Sequence, residues 1–299
     1  MERPKLIGLV ALCAMLGCGL FGVARGSQVA AAGALLHASR EGKTDLEIRW
    51  PAVGGASAVH GFVTYKDLLR LPQVAATVAG DENFTEMHAP SVKVTGVELG
   101  VLERRLKVPA GLDLMLARCA DGYVGPYPAE YVAAHRPILV LTVNGMTLPE
   151  WARSTGNEDP GPYMISYENF VPAWKVLAHQ DRPQVPTLVL EMEFKRSQEV
   201  FGPIAPPPRF GAGSPERAGF AIAKQNCLRC HSAGPYGGTK AGLSWEVLSG
   251  LARRDRAEFE RYVRDPKSVS PKAKMVGSPQ YDAATLAAIS AYFQSLVKE

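Results

Sequence analysis

Apolar and polar residues alternate with a period of two in several stretches of the first two thirds of the chain. The alternation is found at residues 46–50, 112–116 and 188–194. Because successive side chains of a strand point to opposite faces, this period predicts strands that are buried on one face.

A continuous apolar run at residues 138–143 ends in Asn144-Gly145, a pair typical of a two-residue hairpin turn. Residues 98–106 and 128–134 are the better helix candidates in this part of the chain, since their apolar residues recur at helical spacing. Strands therefore outnumber helices here. The pattern predicts a strand-rich α+β domain at residues 40–200.

The pattern becomes helical in residues 213–299. Ser214 and Pro215 are suited to begin a helix, because a hydroxyl can cap it and proline fits its first position. Asp282 can cap a last helix with apolar residues every three or four positions. Residues 201–212 carry four prolines, which predicts a short, semi-rigid linker. The predicted fold class is therefore multidomain, with an all-α part after the α+β part.

The helical part contains the motif C-x-x-C-H, formed by Cys227, Cys230 and His231. This motif is typical of covalent attachment of a c-type haem, because two thiols at this spacing can each form a thioether with a vinyl group. The adjacent imidazole can then coordinate the iron. A redox pair or a zinc site is the alternative, but zinc would need a second ligand pair and the sequence has no other C-x-x-C. The motif predicts one covalent haem c.

The second axial ligand of the iron is expected further along the chain. Met275 is the only methionine after the motif, and it lies in a Pro- and Lys-rich segment with little apolar pattern. A thioether ligand raises the reduction potential, which suits an electron carrier. The alternative is a methionine that fills a gap in the core. We take Met275 as the candidate ligand opposite His231.

The order of these features resembles a class I cytochrome c domain over residues 213–299. That family has a first helix leading into the motif, a middle helix, a methionine loop and a last helix that crosses the first. Gly219 and Tyr292 stand where the family places the pair at this crossing. The resemblance implies a haem-based electron carrier. Gly242-Leu243 replaces the family's Gly-Pro, so the carbonyl that orients the imidazole is not identified.

Short fragments of residues 40–200 resemble, in order, the molybdopterin-binding domain of the sulfite oxidase family. The fragments are at residues 63–69, 94–99, 121–123 and 141–145. The family holds molybdenum through a cysteine, but the corresponding residues 79–84 contain none. Cys119 is the one candidate substitute, and a packing role is its alternative. The resemblance therefore implies the fold without its metal site, and molybdopterin is not expected.

The N-terminus has the layout of an export signal. Arg3 and Lys5 precede an apolar run at residues 6–24, followed by small residues. Residues 1–26 are predicted to be a cleaved signal peptide or a membrane anchor, since the run could also span a bilayer. Residues 15–18 resemble a lipobox, so lipidation stays open as well. Each possibility places the mature chain in the periplasm or on the outer face of the cytoplasmic membrane.

Charge distinguishes the two parts of the chain. Residues 213–299 carry thirteen Lys and Arg against eight Asp and Glu, so they hold a net charge of +5 in a chain of net +4. A solvated surface is one explanation. Basic residues near a haem edge would also attract an acidic redox partner. Nucleic acid is not expected as a partner, because an exported chain without a basic aromatic platform does not suit it.

The sequence therefore predicts an exported c-type cytochrome that transfers single electrons to or from a periplasmic or membrane redox protein. One alternative is a molybdenum-dependent oxidoreductase with a fused cytochrome c domain as its internal electron acceptor. Another is a haem sensor, in which Met275 would be displaceable. Whether the chain is an enzyme is left open, with a carrier favoured.

Overall fold

The computed structural model describes residues 35–296. The predicted signal peptide or anchor at residues 1–26 lies outside the described residues. The strands are Leu46–Trp50 (β1), Val59–Val63 (β2), Val74–Ala79 (β3), Ser91–Glu98 (β4), Leu114–Cys119 (β5), Val124–Pro128 (β6), Ile138–Val143 (β7), Met146–Thr147 (β8), Met164–Ser166 (β9), Lys175–Val176 (β10), His179–Gln180 (β11), Val189–Lys195 (β12), Ser232–Ala233 (β13) and Tyr236–Gly237 (β14).

The helices are α1 to α11 in chain order, with one short 3-10 helix at Gly202–Ile204. Their bounds are Tyr65–Arg70, Glu82–Glu86, Leu99–Leu106, Ala129–His135, Leu148–Thr155, Ser197–Phe201, Pro215–Asn226 (α7), Trp245–Arg254 (α8), Arg256–Arg264 (α9), Pro266–Val269 (α10) and Ala283–Ser295 (α11). Within the described residues, none of these helices is long and apolar enough to cross a membrane.

Two five-stranded sheets form the strand-rich part. The first has the order β2-β1-β12-β5-β6, and the second has the order β3-β4-β7-β8 with β9 beside β7. Side chains of both sheets join in one apolar core, for example Ile48 of the first sheet and Leu139 of the second. A smaller core covers the other side of the second sheet, where Val140 packs with Phe84 and Trp151.

The third core joins the C-terminal helices to the first sheet. Leu114 and Leu116 of β5 belong to the same buried cluster as Ile222 of α7 and Phe293 of α11. The neighbouring residues of β5, among them Met115, face the core between the sheets instead. Strand β5 is thus buried on both faces.

The predicted fold class is wrong. The structure is a mixed, strand-rich α/β arrangement, and the described residues contain no separate all-α domain at the C-terminal end. The C-terminal helices share their core with β5 and β6, and their segment includes the hairpin β13-β14. The physical reason is the second apolar face of β5, which needs a cover that the helices provide.

Several local predictions are confirmed. The apolar run becomes β7, and Asn144-Gly145 connects it to β8 with φ angles of 50° and 81°, as a hairpin turn of this type requires. Ser214 caps α7, since its side chain accepts a hydrogen bond from the amide of Arg217. Asp282 caps α11 in the same way through Thr285. Each cap satisfies an amide at a helix start that has no partner inside the helix.

The segment predicted as a short, semi-rigid linker begins with helical structure. Gly202–Ile204 form a 3-10 helix directly after α6, and the Ile204 side chain is buried in the core of the C-terminal helices. The Ile204 carbonyl also accepts a hydrogen bond of 2.7 Å from the hydroxyl of Tyr292. These contacts attach the start of the segment to α11.

Helices α7 and α11 cross with their backbones in close contact. A Cβ atom added at Gly219 would lie 2.1 Å from the carbonyl oxygen of Ala288 and 2.7 Å from Cβ of Tyr292. Only glycine therefore fits at this point of α7. The structure brings Gly219 and Tyr292 together, as their positions in the sequence suggested.

Candidate functional site

The C-x-x-C-H motif begins where helix α7 ends. The backbone continues as a tight turn, because the amides of Cys230 and His231 both donate to the carbonyl of Cys227 at 3.1 and 3.0 Å. This turn carries two thiols and one imidazole on five consecutive residues. Both cysteines are free and half-buried.

Hydrogen bonds to the first sheet hold the motif in place. The amide of Val124 in β6 donates to the carbonyl of Arg229 at 2.9 Å, and the amide of Thr239 donates to the carbonyl of Gly122 at 2.8 Å. The guanidinium of Arg229 donates to the side-chain oxygen of Asn226 at 3.0 Å. The motif is thus fixed both to α7 and to the turn between β5 and β6.

The imidazole of His231 is buried and has a defined orientation. Its Nδ1 lies 2.9 Å from the carbonyl oxygen of Leu243, and a carbonyl can only accept, so Nδ1 carries the proton. Nε2 forms no hydrogen bond to the described residues, which leaves its lone pair available. Burial lowers the pKa of His231, and the bond to Leu243 opposes this shift. The sequence left the orienting carbonyl open; the structure identifies it as that of Leu243.

Burial raises the pKa of both thiols. Burial raises the pKa of Cys227 to about 12, and burial also raises the pKa of Cys230, with Arg229 opposing. A redox-active C-x-x-C pair needs a thiolate with a lowered pKa. Both shifts run in the opposite direction. For the zinc alternative, the part of the chain that the structure describes has no group of three or more His, Cys, Asp or Glu arranged around a metal position.

Met275 lies between α10 and α11, outside any helix or strand. Its side chain is 36% exposed, so it does not fill a gap in the core. Val276 beside it is 76% exposed, and Leu243 and Val247 after the motif are exposed as well. Met275, Val276, Leu243 and Val247 are four of the seven large apolar residues that are exposed in the described part of the chain. The four residues lie in two segments of the chain, one directly after the motif and one around Met275.

The segment that would correspond to the molybdenum ligand has a structural role instead. Asp81 caps a helix and its carboxylate accepts a hydrogen bond of 2.5 Å from Ser166. Cys119 packs half-buried against the core between the sheets, and burial raises the pKa of its thiol far above the usual range. Neither position offers a thiolate. The donor set therefore does not fit molybdenum held as in the sulfite oxidase family.

A buried polar network joins the strand-rich part to α7, and sequence spacing gave no signal for it. His135 Nε2 lies 2.7 Å from a carboxylate oxygen of Asp181, and the other oxygen of Asp181 accepts a hydrogen bond of 2.7 Å from Nε2 of the Gln225 side chain. The Gln225 oxygen accepts from Nε2 of His179 at 2.9 Å, and the hydroxyl of Tyr281 donates to Nδ1 of that ring at 2.6 Å. Asn226 also donates to the Tyr281 hydroxyl, at 3.2 Å, so the network reaches the residue directly before Cys227.

The network predicts a loss of stability in mild acid. Burial lowers the pKa of His179, with Arg182 and Arg229 acting in the same direction and Asp181 and Gln225 opposing. The unfolded chain takes up a proton at this imidazole near its ordinary pKa of about 6.5. The folded protein resists that proton to lower pH, so folding stability is present above about pH 6.5 and falls below it.

Urea denaturation of the protein and of the His179→Gln variant, at matched pH values above and below this pKa, measures the effect. The unmodified protein is expected to lose more of its free energy of unfolding on acidification than the variant. Parallel losses in the two proteins would contradict the assignment. Only the change with pH is compared, because the substitution itself also removes hydrogen bonds.

Comparison with known proteins gives no match: no family model matches the chain, and no curated protein matches it. The proposed function therefore depends on the motif and on the contacts around it.

Proposed function

We propose that this protein is an exported c-type cytochrome that transfers single electrons through one covalently attached haem. Cys227 and Cys230 would hold the haem through thioethers, and His231 and Met275 would ligate its iron. When bound, the haem supplies an iron centre that takes up and releases one electron at a time. The mature chain would act in the periplasm or on the outer face of the cytoplasmic membrane.

The observation that carries the proposal is the orientation of His231. Its Nδ1 proton is donated to Leu243, so Nε2 is the free nitrogen of a neutral, buried ring beside two free thiols. A metal-ligating histidine characteristically donates its other ring N–H to a carbonyl or carboxylate, which fixes the ring and its tautomer. This arrangement fits an axial ligand. Nε2 is not among the fully buried side-chain atoms that lack a partner, so it can be reached from outside the core, as an axial ligand must be.

The exposed apolar side chains support the same proposal. Leu243 and Val247 follow the motif, and Met275 and Val276 lie in the segment that carries the thioether. A haem has large apolar faces that would remove such side chains from water, at about 25 cal/mol for each Å² buried. The segment after the motif and the segment with Met275 therefore both carry apolar side chains that a haem face could cover.

An acidic redox partner fits the charge of the methionine segment. Lys272 and Lys274 lie three residues and one residue before Met275, and both are exposed. Lys240 is different, because it pairs with Asp121 at 2.5 Å and its charge is partly neutralised. We infer that the two free lysines attract the partner, a periplasmic or membrane redox protein with an acidic docking surface.

Covalent haem retention tests the proposal directly. The full chain is produced in a host with haem-attachment machinery, and haem is measured after denaturing extraction with acidified solvent. Cys227→Ala and Cys230→Ala are each expected to weaken retention, because each removes one thioether, and the double variant is expected to lose covalent haem completely.

Cys119→Ala is the matched control. Cys119 is also a free, half-buried cysteine, but it packs against the core between the sheets. Its variant is expected to keep haem fully covalent. Full covalent retention in the double variant, or equal losses in all three cysteine variants, would overturn the proposal.

A further inference from the structure

Strand β3 forms an open edge of the second sheet. It pairs with β4 on one side, and no other strand of the described residues lies on its other side. The amide of Gly80 donates to the carbonyl of Pro90 at 3.0 Å, so the even-numbered residues of β3 bond to β4. The amides and carbonyls of Ala75, Thr77 and Ala79 therefore point away from the sheet, where a further strand could bond to them.

The other sheet edges of the described residues are short or partly covered. At β2, His37 exchanges hydrogen bonds of 2.8 and 2.9 Å with Phe62, and β6 contains Pro126 and Pro128. Strands β8 and β9 have only two and three residues. Strand β3 has six residues with no proline, no charged side chain and no bulge, which are the usual means of preventing strand addition. Its edge is thus suited to pair with another strand.

The surface around this edge does not repel a second copy of the chain. Ala75, Thr77 and Ala79 are exposed and small, so an identical strand can approach them. The open groove beside them is lined by one cation and one anion, Lys93 and Glu168. A copy of the protein therefore meets no excess charge of one sign at the strand itself.

The segments on either side of β3 carry opposite charge. Helix α1, before β3, has two basic residues and one acidic residue, and residues 81–86, after β3, have three acidic residues and no basic one. Arg70 pairs with Asp67 in α1, whereas Lys66 and Glu86 are exposed and form no salt bridge to the described residues. When two copies of β3 run antiparallel, the basic end of each lies beside the acidic end of the other. A parallel pair would bring like charges together.

We propose that two copies of this protein form a dimer by antiparallel pairing of their β3 strands, with the two-fold axis at Thr77. Ala75 of each copy then lies opposite Ala79 of the other, and the outward amides and carbonyls bond across the interface. Each copy offers one such edge, so the assembly closes at two copies. A six-residue strand pair is small beside the roughly 1,200 Å² that stable interfaces bury, so the dimer is expected to be reversible.

Sedimentation velocity of the mature protein over a range of concentrations tests the proposal. The sedimentation coefficient is expected to rise from the monomer value towards the dimer value. Thr77→Pro is expected to weaken association at least about tenfold, because each copy loses an amide at the interface. Since this amide does not bond to β4, the ladder inside the sheet is kept. Thr77→Val keeps the amide and is the matched control, expected to associate as the unmodified protein does.

A charge exchange gives a second test that does not alter the strand. Lys66→Glu is expected to weaken association, because it brings like charges together across the interface. Adding Glu86→Lys to that variant is expected to recover part of the association. A monomer at every concentration, equal association of the Thr77→Pro and Thr77→Val variants, or no recovery in the double variant would each overturn the proposal. Haem content does not enter the readout, so failure of the proposed electron-transfer function leaves both tests intact.

Discussion

Gly219→Ala is expected to lower the free energy of unfolding by about 2 kcal/mol. The added Cβ would lie 2.1 Å from the carbonyl oxygen of Ala288, a backbone atom that cannot move without separating the two helices. Overpacking of this kind typically costs about 1 to 3 kcal/mol, and the higher helix propensity of alanine offsets a part of it. The crossing of α7 and α11 is therefore expected to be the position most sensitive to one methyl group.

Gly250→Ala is a matched control for this substitution. Gly250 also lies within a helix, α8, but a Cβ added there would meet nothing within 4 Å. The same change is therefore expected to stabilise the protein by about 0.5 to 1 kcal/mol through helix propensity alone. Urea denaturation of both variants measures the difference. Equal effects of the two substitutions would show that the close contact at Gly219 does not limit the fold.

Local structure could be predicted from the sequence where one physical cause dominated. Asn144-Gly145 forms its turn because both residues tolerate positive φ, and the caps at Ser214 and Asp282 form because a side-chain oxygen stands beside unpaired amides. The Gly219–Tyr292 contact was found through a family resemblance, and the geometry of the crossing explains it.

The fold class could not be predicted, because period-two alternation does not say what covers the second face of a strand. Leu114 and Leu116 were interpreted as the one buried face of β5, yet Met115 between them is buried as well. The run at β5 is apolar on both faces, which indicates a strand covered on two sides. Two separate domains were predicted because the helical and strand patterns are separate in sequence. Packing joins them through this strand.

Helix α8 was not predicted, although its sequence carried a signal. Ser244 caps it, and Trp245, Leu248 and Ala252 follow at helical spacing. The carbonyl of Leu243 that orients His231 lies immediately before this helix. By contrast, the pairing of His135 with Asp181 joins residues 46 positions apart, and no local pattern indicates it. Contacts of this kind depend on tertiary structure alone.

The distal ligand decides between an electron carrier and a haem sensor. If the sulfur of Met275 ligates the iron, the ferric protein should show the weak long-wavelength absorption that thioether ligation produces, and the ferrous form should bind carbon monoxide poorly. Met275→Ala is then expected to open a coordination site and to lower the potential, because a ligand that favours ferrous iron has been removed. Met275→His is expected to keep six ligands and also to lower the potential.

Met146→Ala is the control, because Met146 is a half-buried methionine in β8, within the second sheet and away from the motif. Its variant should keep the absorption band and the potential of the unmodified protein. Met275 belongs to none of the three apolar cores, so its truncation leaves them intact and a change in ligand binding reports on the iron. Ready binding of carbon monoxide by the unmodified protein, with a spectrum that Met275→Ala leaves unchanged, would rule out Met275 as the ligand. The electron-carrier proposal would then be replaced by sensing or catalysis at the haem, because both of these functions use an open coordination position.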